Sequence, residues 1–404
     1  MSRATAALAA GVAVLVLVAA AAALAWQAGS PLVPREGGTA DGGSAWLFLV
    51  LLAAAFLFYA GGLVLQRRAG ASLVAVVVLA ASIQVVPVAA PLLLSTDAWT
   101  YWAYGRIAAV EGGNPYRDPP SEFPESPAYP YMGSAWRDTT TVYGPAFTLV
   151  SEPLARAAGS SSDAAAWQYK TLAAAAAVAT VLLAARLARR RALAAAFVGW
   201  NPVLALHLAG GGHNDAWVGA LVLAALALGA AGRRQWAGAA WVLAIAVKWV
   251  PLVFLVLRAL EARSTGRRVG HAGFAVAAGV VAAVGTWRYG LAWLDVLDPL
   301  LDNAALETGY ALPHRLEQLG LGDAIVTVVA VTAFAIGLLL LARQALRGRA
   351  RLSLAACLVL AVTPYLVVWY LAWAVPVAAA DEERWGRLGC LAFSAYLLPQ
   401  TIPL

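Results

Sequence analysis

Residues 233–268 read RRQWAGAAWVLAIAVKWVPLVFLVLRALEARSTGRR. An apolar run, 236–259, lies between Arg233/Arg234 on one side and Arg258, Arg263, Arg267 and Arg268 on the other. Arginines gather on the cytoplasmic side of membrane proteins, so both flanks belong on one side. Two full crossings do not fit. About twelve helical residues rise only about 18 Å, against a hydrocarbon core of about 30 Å. A single crossing would reverse the charge pattern of everything that follows. The stretch therefore predicts two short helices meeting near Lys248-Trp249-Val250-Pro251. Their junction belongs inside a protein-lined cavity, because broken backbone is tolerated at membrane depth only there.

The rest of the chain agrees with a membrane setting. Of 404 residues, 62% are hydrophobic and only 12% are charged, against roughly 45–50% and about 25% in soluble domains. That excludes a soluble enzyme, a disordered chain and a disulfide scaffold. Uninterrupted apolar runs of about 20 residues also exclude a β-barrel, whose strands alternate. The net charge of +7 reads as loop arginine that orients helices, with no nucleic-acid partner implied. Cys357 and Cys390 sit in apolar segments and read as packing residues.

Spans are expected near 6–26, 45–65, 71–94, 165–186, 192–209, 216–231, 272–289, 323–342 and 387–404. The run 6–26 is long for a signal peptide and reads as a retained first helix. A second broken stretch, 352–380, divides at Thr363-Pro364-Tyr365. The expectation is an all-α, polytopic, multi-pass protein, 1–404 as one transmembrane domain, with about 13 helical membrane segments. Arg3, Arg67, Arg68, Arg186, Arg189, Arg190, Arg191, Arg233 and Arg234 fall on the cytoplasmic side of this arrangement. So do Arg258, Arg263, Arg267, Arg268, Arg343, Arg347, Arg349, Arg351, Arg384 and Arg387. Two long loops, 95–163 and 288–322, fall on the outer face. The first is rich in aromatics and reads as structured.

The first loop opens Ser95-Thr-Asp97-Ala-Trp99-Thr-Tyr101-Trp102-Ala-Tyr104-Gly-Arg106. At helical spacing Asp97, Tyr101 and Tyr104 share one face, and Trp99, Trp102 and Arg106 another. This reads as an interfacial helix. Asp97 fits either a helix-capping role or chemistry. Gly112-Gly113-Asn114-Pro115-Tyr116 and Tyr143-Gly144-Pro145 are turn signals. Further on, Asn201-Pro202 leads through His207 to Gly210-Gly211-Gly212-His213-Asn214-Asp215. His207 reads as a core histidine. His213, Asn214 and Asp215 carry more polarity than a helix cap needs. Lys248 is the sharpest single signal: an intramembrane lysine costs about 2.5–3.5 kcal/mol on insertion scales and is usually functional. A cation at an outer cavity suits an anionic ligand such as a lipid phosphate. The second loop carries Asp295, Asp298, Asp302, Asn303 and Glu307, most of whose acids read as solvated, and His314-Arg315, a phosphate-pairing candidate.

These residues together resemble a family. Gly-Asn114-Pro-Tyr, then Trp136-Arg137-Asp138 leading to Tyr143-Gly-Pro, is similar to the actinobacterial polyprenol-phosphate-mannose-dependent mannosyltransferases. Asn201-Pro202 with His207 and Gly-Gly-His213-Asn214-Asp215, then Lys248-(x)2-Pro251 and Trp369-Tyr370-(x)2-Trp373, extend the likeness over roughly 90–380. The resemblance implies the GT-C fold of a bacterial cell-membrane enzyme with an extracytoplasmic site. It implies a polyprenyl-phosphate-sugar donor, mannose being the sugar, and a glycolipid or lipoglycan acceptor. The roles that follow are Asp97 as general base, with Lys248, His213, His314 and Arg315 on the donor phosphate. Tyr101, Arg106, Asn114, Tyr143, Asn214 and Asp215 would bind sugar or acceptor. No cofactor and no metal are expected, since the leaving group is already an activated phosphate. Two alternatives stay open. One is a transporter or flippase, whose helices can also be broken around an intramembrane charge. The other is the same fold with a different lipid-linked sugar, such as arabinofuranose.

Overall fold

The computed structural model describes residues 2–34, 42–296, 298–299 and 306–404. Asp302 and Asn303 lie outside the described residues. Among the described residues every regular element is helical. In chain order they are α1 (Arg3–Ala23), α2 (Gly42–Ala69), α3 (Leu73–Val85), α4 (Asp97–Ala109), α5 (Pro145–Ala158) and α6 (Ser162–Leu187). There follow α7 (Arg191–Gly199), α8 (Pro202–Leu204, continued by a π-wound turn, Ala205–Gly210), α9 (Asp215–Ala230), α10 (Arg234–Val247), α11 (Pro251–Ser264) and α12 (His271–Tyr289). The last are α13 (Leu312–Gln318), α14 (Asp323–Ala345), α15 (Leu352–Val362), α16 (Leu371–Asp381) and α17 (Arg384–Tyr396).

Five helices are long and apolar enough to cross a bilayer alone, or six if the bent pair 191–199 and 202–210 counts as one. The other apolar helices are shorter, so the thirteen segments anticipated from sequence are not all of spanning length. The final run is a case in point. Its helix stops at Tyr396 and the chain turns before Pro399, whose ring blocks continuation.

The stretch 233–268 breaks where its charges and Pro251 require. The legs α10 and α11 meet at Lys248, which is extended (φ −156°, ψ 141°), and Pro251 opens the second leg. Arg234 and Ala237 at the start of α10 line the same cavity as Arg258 and Ala262 near the end of α11. The two legs therefore return to one end of the bundle, the arginine-rich end. The second break, between α15 and α16, has its backbone satisfied by neighbours. The Thr308 backbone N–H donates to Pro364 O (3.1 Å) and its hydroxyl to Leu366 O (2.7 Å). This is how irregular backbone survives in an apolar surrounding.

One expectation changes. Helix α4 has no exposed face along residues 98–108, which are all buried, enclosed by α5, α6 and the folded loop. Arg106 explains part of this. It donates to Glu111 (2.9 Å), Ser126 Oγ (3.1 Å) and Gly159 O (2.7 Å), and so wraps the loop around the helix.

Candidate active site

The chain reaches Asp97 through a fixed turn. Lys170, fully buried on α6, donates to the carbonyls of Val88 (3.3 Å), Ala90 and Pro91 (3.1 Å) just past the end of α3. Leu93 N–H then donates to Gly210 O (3.0 Å), tying this turn to the glycine run. Gly212 has φ +72°, a left-handed conformation that L side chains rarely adopt, and it swings His213 towards α4.

The result is a compact polar cluster. His213 Nδ1 lies 3.1 Å from Asp97 Oδ2. The Tyr101 hydroxyl is 3.3 Å from the same oxygen and 3.4 Å from Asn214 Oδ1, so one proton serves two acceptors. The His213 ring stacks on Trp369 at 3.8 Å and 15°. Alongside, Lys248 Nζ donates to Asp215 Oδ1 (2.8 Å), which also accepts from Trp373 Nε1 (2.7 Å). The Lys248 ammonium faces the rings of Tyr370 (5.0 Å), Trp373 (5.3 Å) and Tyr143 (5.8 Å), whose faces attract a cation. Tyr143 in turn meets Tyr101 edge-on at 5.1 Å.

Exposure separates the roles. The side chains of Asp97 and Lys248 are each 16% exposed, whereas His213 and Asp215 are 0% exposed. A ligand can reach the first pair; the second pair stands behind and holds it. Burial alone would push the Asp97 carboxyl up, but the charge and hydrogen bond of His213, with Lys248 nearby, outweigh this and hold it below the usual carboxylate range. Tyr101 is pushed the other way, by burial first and then by Tyr143 and Asp97, so it stays a neutral donor. His213 Nε2, Asn214 Nδ2 and Asp215 Oδ2 are buried with no protein partner among the described residues.

The remaining sequence candidates lie elsewhere. Arg106 is more than two turns further along α4 and is engaged in loop closure. Asn114 donates to Tyr289 O (2.7 Å) and its Oδ1 accepts from Tyr116 N–H (3.2 Å), joining the first loop to the end of α12. His314 is held between Glu307 (3.0 Å) and Glu317 (3.2 Å). Arg315 binds Gln318 (2.7 Å) and the Tyr396 hydroxyl (3.3 Å). Neither of the last two contacts the Asp97–Lys248 cluster.

Sequence reasoning passed over Lys170, although the rule that singled out Lys248 applies to it equally. It also missed the buried Glu152, which binds Arg288 (2.9 Å) and Tyr289 (2.7 Å) and locks α5 to α12. The hairpin tip is placed by backbone contact: Gly144 N–H donates to Val247 O (3.2 Å), and a Cβ on Gly144 would lie 2.2 Å from Ala246 O. Gly144→Ala must displace the tip that carries Lys248. We expect a loss of about 1–3 kcal/mol by overpacking, seen as a lower melting midpoint in detergent; an unchanged midpoint would show that the tip yields freely.

Two family models match. One, described as alpha-(1->6)-mannopyranosyltransferase, N-terminal domain, covers residues 4–264. The other, glycosyltransferase family 87, covers residues 141–395. The chain belongs to the alpha-(1->6)-mannopyranosyltransferase family. Its similarity to alpha-(1->6)-mannopyranosyltransferase A of Mycobacterium tuberculosis is 30% identity over 348 residues, 75% of this chain and 65% of that protein. With the Corynebacterium glutamicum protein of the same name it is 28% over 240 residues, 52% and 48% respectively. The chain thus spans less than two thirds of these relatives' length. No solved structure gives a significant match. Within the family region, His213, Asp215 and Lys248 fall where both models overlap. Asp97 falls in the first alone, and Trp369 and Trp373 in the second alone. The cluster is therefore assembled from both halves of the chain.

Proposed function

We propose that this chain is a mannosyltransferase that moves mannose from a polyprenyl-phosphate donor to a glycolipid acceptor at the outer face of the cell membrane. The observation that carries the reading is one partly exposed carboxylate, Asp97, beside one partly exposed ammonium, Lys248, each anchored by a fully buried partner. The arginine-rich end of the bundle is the opposite one, which supports an extracytoplasmic position for this cluster.

In this reading the acceptor hydroxyl attacks the anomeric carbon. Its proton goes to Asp97, the new C–O bond forms, and the bond from that carbon to the phosphate oxygen breaks with its electron pair leaving on phosphate. Asp97 is ionised throughout the physiological range, so it is always ready to accept. A low basicity is tolerable because the hydroxyl becomes acidic only as its oxygen bonds to carbon. Lys248 has three N–H donors and gives one to Asp215, leaving two for the charge that develops on the leaving phosphate. A single displacement on a β-linked donor gives an α product. No step calls for a metal.

The test is transfer of radiolabelled mannose from polyprenyl-phosphate-mannose by the purified chain in proteoliposomes. We expect a new alpha-linked mannoside, formed equally well in excess EDTA. Movement of label across sealed vesicles without a new glycosidic bond would favour a transporter instead. Transfer from the arabinofuranose donor alone would change the sugar.

A further inference from the structure

A second site lies at the other end of the hairpin. A cavity of about 1220 Å³ opens between α10, α11, the start of α12 and the ends of α9 and α16. Its walls include Leu226, Trp241, Leu255, Phe274 and Val377, and its charged lining is dominated by Arg234, Arg258, Arg267 and Arg268. It exceeds the roughly 300–1,000 Å³ of ordinary small-molecule pockets. From Asp215 to Ala230, α9 leads from the Asp97 cluster to this cavity, a rise of about 22 Å. The cavity is therefore separate from the candidate active site.

Its charges are unbalanced. Both acidic side chains that line it are engaged: Glu261 by Arg258 and the Ala350 N–H (3.1 Å), and Asp381 by Ser353 N–H (3.2 Å), the Ser353 hydroxyl (2.6 Å) and Glu383 N–H (3.0 Å). Arg234, Arg267 and Arg268 are exposed, and among the described residues none has an acidic side chain within ion-pair distance. Their placement is built in. Arg267 N–H donates to Ala262 O (2.9 Å) as α11 ends, and Gln235 Oε1 accepts from Gly273 N–H (2.7 Å), fixing the start of α12 beside Arg234.

We propose that this cavity binds an anionic phospholipid of the leaflet on the arginine-rich side. The phosphate would lie among Arg234, Arg267 and Arg268, and an acyl chain along Trp241 and Phe274. An amphiphile is the occupant that matches both halves of the lining. A free anion would leave the apolar walls uncovered, and a neutral lipid would leave three cations unpaired. Basic pockets between membrane helices on the cytoplasmic side take acidic headgroups for this reason. The lipid would brace the two legs of the hairpin whose tip carries Lys248.

The test uses the full chain in neutral detergent, titrated with dioleoyl phosphatidylglycerol, dioleoyl phosphatidylcholine or inorganic phosphate. Retained ligand is read by native mass spectrometry and stabilisation by the melting midpoint. Phosphatidylglycerol should be retained and should raise the midpoint; the other two should do neither. Arg234→Ala/Arg267→Ala/Arg268→Ala should weaken phosphatidylglycerol about a hundredfold, each arginine near an acidic headgroup contributing roughly a factor of five. Arg267→Gln/Arg268→Gln, confined to an exposed loop, should weaken it about twenty-five-fold by the same reckoning and serves if the triple variant does not fold. Arg67→Ala/Arg68→Ala, with the same charge change outside the cavity, should leave it unchanged. Undiminished phosphatidylglycerol binding in the loop variant overturns the proposal. So does phosphatidylcholine or inorganic phosphate acting as well as phosphatidylglycerol.

Discussion

Asp97→Asn is expected to lower kcat/KM for mannose transfer by about 10²–10⁴, the usual worth of a positioned general base. That is roughly 3–5 kcal/mol of barrier at 1.36 kcal/mol per decade. The substitution is isosteric. An asparagine oxygen can still accept from Tyr101, so the fold around α4 should persist, with an unchanged melting midpoint and gel-filtration profile. Asp97→Glu keeps the carboxylate but moves it by one methylene, and should fall between the two. Near-normal turnover in the asparagine variant would remove Asp97 as the base.

The pH profile adds a sign that capping cannot mimic. The Asp97 carboxyl is held below its ordinary range chiefly because His213 and Lys248 outweigh its burial. Activity should therefore be lost only as the pH falls below the usual carboxylate range. His213→Gln keeps a hydrogen-bond donor but removes the imidazole charge. With burial then less opposed, the Asp97 pKa rises, and the acid limb of kcat/KM should move towards neutral pH. An acid limb that stays in place in this variant would mean that Asp97 does not set it.

Much of this was legible in the sequence because so few charges were available. Lys248 inside an apolar run, with arginines on both flanks, was enough to place the hairpin break. Asp97 stood out because it follows an apolar run and opens an aromatic helix. What could not be read was which charges would meet. Asp97 and His213 are 116 residues apart, and Asp215 and Trp373 are 158 apart. No local periodicity encodes such pairings. For the same reason the bonds of Arg106 to Gly159 O and of Asn114 to Tyr289 O could not be read: a polar side chain gives no local sign that a distant carbonyl will use it. The burial of α4 was also hidden, because its Trp and Tyr residues suit a membrane interface and a packed core equally.

Lys248→Met should also abolish most transfer, but its interpretation needs a partner. Asp215 is fully buried and Lys248 Nζ is one of its two donors. Removing one member of a buried ion pair leaves an uncompensated charge and costs about 3–5 kcal/mol, so the single variant should melt earlier whatever Lys248 does for catalysis. Lys248→Met/Asp215→Asn removes that conflict. The asparagine still accepts from Trp373, and no buried charge is left over. We expect the double variant to regain the wild-type melting midpoint. Its kcat should remain about 10²–10³ lower, the effect of losing one donor to a developing oxyanion. The defect should also depend on the leaving group, since a mannosyl donor whose leaving group needs less charge stabilisation has less to lose. If the double variant recovers both stability and turnover, Lys248 serves only to balance Asp215, and the leaving phosphate must be met by other groups.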